Sequence, residues 1–425
     1  MKIVKTAITC VKEKLKAPFG FKGGFLSELW QVAVKVETDR TYGIGVGVQS
    51  VLWSDASVFS ENSEQSGNEY MYSISQKAVD MLVGREGKTP IDLIDGIYDE
   101  LLFFARRTIR SDLRETFVRN AFVCVDNALW QAYAREAKCE NFVELVPQEY
   151  RKALCEKHKI LCNIPLLSYG VDENGIKSLL DAGTALLKIK IGFDNGGAKS
   201  KSEMLEWDKN RLAQIHDIAK NYTTKYTKSG NILYYLDANG RYDSVERVNE
   251  LVAFAEKIGA KDRIVLLEEP FEEDNKLDVR KIPLRVTADE SVHSLQDVEE
   301  RIELGYSAIA LKPIAKTLSE TLKILNKAYE KGVTCFCADL TVNPLLVEWN
   351  KNIAARIATL PEMNVGILES NGKQNYTNWE EMRKYSASFG KSYSVENSGI
   401  YRLDDEFYNE SGNIFKPSKY YEKLF

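Results

Sequence analysis

The sequence is short of almost everything that marks a membrane, secreted or nucleic-acid-binding protein. No apolar run approaches the ~20 residues that cross a bilayer, so no membrane partner is expected. Met1-Lys2-Ile3-Val4-Lys5-Thr6 lacks the apolar core of a secretory signal. Arginine–lysine blocks are missing, and 57 basic residues against 62 acidic ones leave a net charge of −5, which argues against nucleic acid as a partner. Cysteine is sparse. The seven (Cys10, Cys124, Cys139, Cys155, Cys162, Cys335, Cys337) are scattered, odd in number and too few for a disulfide scaffold of this length. Cys335-Phe336-Cys337 is too tight for the usual zinc spacing and has no partner pair. A reducing, cytoplasmic location is expected. Histidine is scarcer still, and His158, His216 and His293 all fall in expected helices or loops.

Phosphate-binding loops are missing too. Gly43-Ile44-Gly45-Val46-Gly47-Val48 opens no helix and is no dinucleotide fingerprint. Gly87-Lys88-Thr89 has Leu82 where a phosphate loop needs its first glycine.

What is present is enough apolar residue, 44%, to build large cores over two or more domains. Residues 1–55 alternate as antiparallel strands, with strands expected over 31–37 and 43–48. The stretch 17–25 mixes aromatics with glycines and is expected as a loop, either a mobile lid or a plain surface turn. Residues 74–142 turn helical, with a buried helix around 121–130, so the first third is α+β. From Ile164 onward strands and helices alternate. Strands are expected at 165–169, 185–191, 232–237, 264–268, 284–289, 308–312, 334–339 and 365–369. Helices are expected at 244–258, 294–304, 318–331 and 346–360. Eight parallel strands suit a closed α/β barrel, and an open doubly wound sheet is the alternative.

One strand is odd. In Ala185-Leu186-Leu187-Lys188-Ile189-Lys190-Ile191-Gly192, Leu187, Ile189 and Ile191 share one face while Lys188 and Lys190 share the other. Alone, this fits an amphipathic strand with solvated lysines. In a parallel sheet covered by helices neither face is free water, and two confined ammonium groups need partners. Later strands supply them. Asp237 closes the third strand, Glu268 the fourth, Asp289 the fifth and Lys312 the sixth, each after apolar residues. In barrel enzymes the carboxyl ends of the strands aim at one point. Three carboxylates there cannot all stay ionised without a cation, and an oxygen-only donor set favours Mg²⁺ over zinc. A lysine near that cation and a second ammonium can act as a base, and the cation stabilises the enediolate left when a proton next to a carboxylate is removed.

Together Lys188-x-Lys190, Asp237-x-Asn239, Glu268-Glu269-Pro270, Asp289-Glu290-Ser291 and Lys312-Pro313 resemble the motif set of the enolase superfamily. The match is to its muconate-lactonizing and dipeptide-epimerase-like branch (the mandelate racemase/muconate lactonizing enzyme family) and covers nearly the whole chain. The resemblance implies a modified TIM barrel, (β/α)7β, over 160–390. It also implies an N-terminal α+β capping domain over 1–150, completed by 391–425. It implies Lys190 and Lys312 as the acid/base pair, with Lys188 supporting the substrate carboxylate or tuning Lys190. Asp237, Glu268 and Asp289 then bind Mg²⁺, with Asn239 in or just outside that shell. The seventh strand, 334–339, has no histidine, unlike the mandelate-racemase-like branch, and enolase itself does not match the opposed lysines.

At the eighth strand, Glu369-Ser370-Asn371 stands where similar dipeptide epimerases carry Asp-x-Asp, a departure from a simple dipeptide substrate. Glu369 either receives a cationic amine or pairs with a lysine. Asp339 either contacts an ammonium or supports Lys312. Phe19, Phe21 and Trp53 either cover the pocket or belong to the core of the cap. The expected activity is epimerisation or racemisation of an amino-acid derivative or dipeptide, on a small-molecule carboxylate substrate, by a homo-oligomer. A lyase of the same superfamily, a cycloisomerase or dehydratase, is the alternative enzyme, and a catalytically silent binding barrel the alternative outside catalysis.

Overall fold

The computed structural model describes residues 1–21, 24–194 and 197–425, the side chain of Phe21 excepted. Two sheets organise it. The smaller is antiparallel, in the order β1 (Ile3–Phe21), β2 (Gly24–Thr38), β3 (Tyr42–Gln49). Val32, Val34 and Val36 of β2 pack on the helices Glu64–Leu82, Pro90–Thr108 and Glu115–Ala137 in one apolar core. The glycines of β3 have a steric purpose. A Cβ on Gly45 would lie 2.1 Å from the carbonyl oxygen of Cys124 and 2.2 Å from the nitrogen of Ala128, so only glycine lets the helix Glu115–Ala137 lie this close.

The antiparallel strands expected over residues 1–55 include the 19-residue β1, which takes in the lysine-rich stretch before residue 17. One expectation changes here. The expected 17–25 loop is the end of a hairpin, with Phe19 opposite Leu26 and Gly20 opposite Phe25. Lys22 and Gly23 of that loop lie outside the described residues, as does the side chain of Phe21.

The larger sheet is the barrel of a mixed α/β fold. Its parallel strands are β4 (Ile160–Ile164), β5 (Leu166–Leu167), β6 (Leu186–Lys190), β7 (Leu233–Asp237), β8 (Ile264–Glu268), β9 (Val286–Ala288), β10 (Ala308–Leu311), β11 (Thr334–Cys337) and β12 (Gly366–Glu369). Strand β13 (Ile400–Arg402) adds antiparallel to β4. The order is β13-β4-β12-β11-β10-β9-β8-β7-β6-β5. Strands β4 and β5 are consecutive in the chain yet lie toward opposite ends of that order, so the sheet curls until it meets itself across Pro165. The first barrel strand was expected at 165–169. The pairing with β12 begins at Leu161, four residues earlier, and Pro165, which has no N–H, follows it. The expected 346–360 helix runs from Pro344 to Ala354.

Inside the barrel Leu186, Tyr235, Leu266, Ala310, Phe336 and Ile367 form one cluster, while Leu187, Ile189 and Ile191 face outward among helix residues such as Met204 and Leu212. The antiparallel sheet is tied onto the barrel by hydrogen bonds. Gln31 Nε2 donates to Tyr376 Oη (3.0 Å), Asn343 Nδ2 to Gln31 Oε1 (2.8 Å), and Tyr42 Oη to Glu422 Oε1 (2.5 Å). Among the described residues no helix is long and apolar enough to cross a membrane.

Candidate active site

A cavity lies between the barrel mouth and the antiparallel sheet. Lys188, Lys190, Asp237, Asn239, Lys312, Asp339, Glu369 and Asn371 line it from the barrel, and Phe19, Leu26 and Trp53 from the other side.

Register explains the convergence. Strand β6 alternates, so Lys188 and Lys190 follow Leu186 into the barrel while their neighbours pack outward. Lys190 is paired with Asp237 across β6 and β7, and Asp237 with Glu268 across β7 and β8. Lys312 follows β10, four strands from β6. In an eight-stranded barrel four steps is half the circumference, so Lys190 and Lys312 face the cavity from opposite sides.

Every one of these charges is buried and most have partners. Lys188 Nζ lies 3.0 Å from Asp237 Oδ2, 2.9 Å from Glu268 Oε2 and 3.1 Å from Glu369 Oε2. Burial would lower its pKa, but the three carboxylates outweigh that and raise it well above the ordinary lysine value. Lys190 Nζ lies 2.6 Å from Asp237 Oδ2 and also donates to Asn239 Oδ1. Lys312 pairs with Asp289, with Nζ 4.5 Å from the centre of the Trp53 ring. Burial would depress its pKa, and Asp289 and Glu268 reverse the sign.

Opposite pressures act on the acids. Burial would raise Asp237, yet Lys188 and Lys190 hold it at about 2. Glu268 is pushed up to about 8 by burial, which Lys188 opposes and Asp289 reinforces. Its Oε1 is buried with no hydrogen-bond partner among the described residues.

Residues that sequence reasoning passed over complete the site. Glu290 offers a carboxylate oxygen that, with those of Glu268 and Asp289, forms a set lying within 4.8 Å of one another. Its signal was adjacency to Asp289, but only the fold shows that it turns inward. Asn239 Nδ2 donates to Glu290 Oε1 at 3.1 Å. Glu269, at a left-handed φ of 38°, accepts at Oε2 from the Asp289 N–H (2.6 Å), the Ser291 N–H (3.2 Å) and the Ser291 hydroxyl (3.0 Å), which fixes the loop carrying Asp289. Lys316, one helical turn after Lys312, reaches Asp289 Oδ1 at 3.4 Å.

Glu369 and Asp339 behave differently. Glu369 Oε2 takes Lys188 and the Asp339 N–H (3.0 Å). Among the described residues the Asp339 carboxylate accepts from backbone alone, Val342 N–H at 3.3 Å and Asn371 N–H at 2.8 Å, and no hydrogen bond joins it to Lys312. Phe19 and Trp53 line the cavity.

An oxygen-only cluster with a buried, unbonded carboxylate oxygen is a fit for a hard divalent cation, because like charges this close need a counter-charge.

Residues 174–381 match a family model described as enolase C-terminal domain-like. No curated protein sequence matches the chain. Solved structures align over most of it. A mandelate racemase/muconate lactonizing protein from Herpetosiphon aurantiacus is 18% identical with a TM-score of 0.67, covering 95% of this chain and 96% of its own. A dipeptide epimerase from Enterococcus faecalis V583, complexed with Mg and the dipeptide L-Leu-L-Tyr, is 16% identical at 0.64, with 95% and 98% covered. An N-succinyl Arg/Lys racemase from Bacillus cereus is 16% identical at 0.66, with 95% and 93% covered. At these identities the likeness is one of fold.

Proposed function

Because residues 174–381 match an enolase C-terminal domain-like model, we propose that this chain is a member of the enolase superfamily that removes the proton next to a substrate carboxylate and returns one to the opposite face, inverting the carbon. The observation that carries the reading is the placement of Lys190 and Lys312 on opposite sides of one cavity. A base on each side is what inversion requires, and a neutral lysine amine is competent to take the proton. Lys190 and Lys312 hold and deliver protons at Nζ, while Lys188, bonded to three carboxylates, stays charged and faces the substrate carboxylate. Trp53, Phe19 and Leu26 exclude water from above.

Mg²⁺ would be held by Glu268 and Asp289, with Glu290 beside them, and by Asp237, which stands next to Glu268 across β7 and β8. Bound there, it would neutralise the charge that builds on the substrate carboxylate as the proton leaves. The substrate class is an amino-acid derivative or dipeptide. Elimination from the same site, a cycloisomerase or dehydratase outcome, starts from the same proton removal.

Incubating N-acyl amino acids and dipeptides with the protein and Mg²⁺ in D₂O tests the reading. Deuterium enters the α position and the optical rotation falls with no change of mass beyond the label. A product lighter by a leaving group selects elimination, and no label in any compound sinks the reaction.

A further inference from the structure

The direction in which a substrate lies follows from the proposed proton transfer, and this inference rests on that reading only there. A carboxylate beside Glu268 and Asp289 occupies the β8–β9 side. Strand β12 lies four steps from β8, and β11 four from β7, so the remainder of the substrate extends toward Asp339 and Glu369.

Glu369 already holds a cation, since Lys188 stands 3.1 Å away. Each of the three lysines on the cavity wall already has a carboxylate partner: Lys188 and Lys190 share Asp237, and Lys312 has Asp289. Asp339 makes no ion pair among the described residues. It is 5% exposed, its two hydrogen bonds come from backbone N–H groups, and an ionised carboxylate has room for about twice as many. Burial, and the repulsion of Glu369, which has the same sign, push its pKa up to about 7. A buried carboxylate without a counter-charge is costly unless something supplies one.

We infer that Asp339 is a specificity-determining residue that receives a cationic nitrogen, ammonium or guanidinium, on the part of the substrate remote from the reacting carboxylate. That nitrogen belongs either to a basic side chain or to the free N-terminus of a dipeptide.

Two matched pairs separate these sources: N-acetyl-lysine against N-acetyl-norleucine, and Ala-Leu against N-acetyl-Ala-Leu. Calorimetric titration of the full chain in Mg²⁺ gives affinities, and the D₂O assay gives turnover of the same four compounds. In one pair the charged member binds about tenfold tighter or more, and Asp339→Asn erases that margin while moving the neutral member less than about threefold. The pair showing the margin identifies the source. Equal affinities within both pairs, a margin that survives Asp339→Asn, or no binding at all overturns the inference. Should Asp339→Asn not fold, the wild-type margins decide alone, because the other acids on the wall already hold lysines. A charge margin without exchange upholds this inference and sinks the reaction; exchange without a margin does the reverse.

Discussion

Lys190 Nζ stands 2.6 Å from Asp237 Oδ2, the two residues facing each other in register on neighbouring strands. The same oxygen is 3.0 Å from Lys188, so one acid holds two ammonium groups. Anything that draws Asp237 toward a cation therefore changes both lysines together.

Lys190→Ala and Lys312→Ala each remove one base. Each variant is expected to lose racemisation by roughly 10²–10⁴-fold. Each keeps deuterium exchange with one enantiomer, the opposite one in the two variants, as chiral chromatography of the labelled product would reveal. Equal residual racemisation by both speaks against a base on each side.

Mg²⁺ binds the folded state selectively if the acidic cluster holds it. At about a hundredfold excess over its dissociation constant it adds roughly 2.7 kcal/mol, seen as a rise in Tm that chelation reverses. Glu268→Gln, Asp289→Asn and Asp237→Asn abolish the rise. Glu290→Gln only weakens it, since the Glu290 Oε1 already accepts from Asn239. A full rise in Glu268→Gln would remove the metal from the cluster.

Gly45→Ala forces a methyl into two backbone atoms of the helix Glu115–Ala137, neither of which can swing aside. The cost is about 3 kcal/mol or more, measured by urea unfolding. Gly96→Ala is the control. It sits exposed in the helix Pro90–Thr108 with nothing within 4 Å of the added carbon, and should gain about 0.5–1 kcal/mol.

Asp126 joins the helix Glu115–Ala137 to the barrel, accepting from the Ser319 N–H at 3.0 Å and from the Ser319 hydroxyl. Burial raises its pKa from 3.8 to about 6 despite those bonds. The folded state then keeps its proton at a pH where the unfolded chain has lost it. Its contribution is complete below about pH 4, is lost as pH climbs to about 6, and is level above, a decline of roughly 3 kcal/mol. Stability curves of wild type and Asp126→Asn over this range should differ by that step. Parallel curves would show that Asp126 does not carry it.

Strand ends were the legible part of this chain. Asp237, Glu268 and Lys312 each follow a run of apolar residues, and the step from apolar to charged marks where a buried strand meets the barrel mouth. Lys188 and Lys190 were legible because period-2 alternation separates their face from that of Leu187 and Ile189. Strand β1 falls within the antiparallel strands read over residues 1–55, but its bounds were not legible, because Lys12, Lys14 and Lys16 alternate with the mixed set Val11, Glu13, Leu15 and Ala17. The first barrel strand was displaced because Pro165 resembles a strand start when its partner β12 is unknown. Glu290, Glu269 and Asn371 escaped for a shared reason: what they do depends on atoms far away in sequence, and no local pattern encodes a contact between Asp289 and Glu269. Asp339 and Glu369 were both seen, but only geometry distinguishes the acid that already has a lysine from the one that does not.

The hydrogen bond that Gln31 donates to Tyr376 and the one it accepts from Asn343 each span more than three hundred residues of chain. During synthesis the sheet that bears Phe19, and the short helix after it that bears Trp53, leave the ribosome long before the strand that bears Glu369. The sheet's underside must wait, uncovered, for a surface that has yet to be translated. The reaction chamber is thus a product of the last stage of biogenesis, and a nascent chain halted anywhere before β12 has a ceiling with no room beneath it.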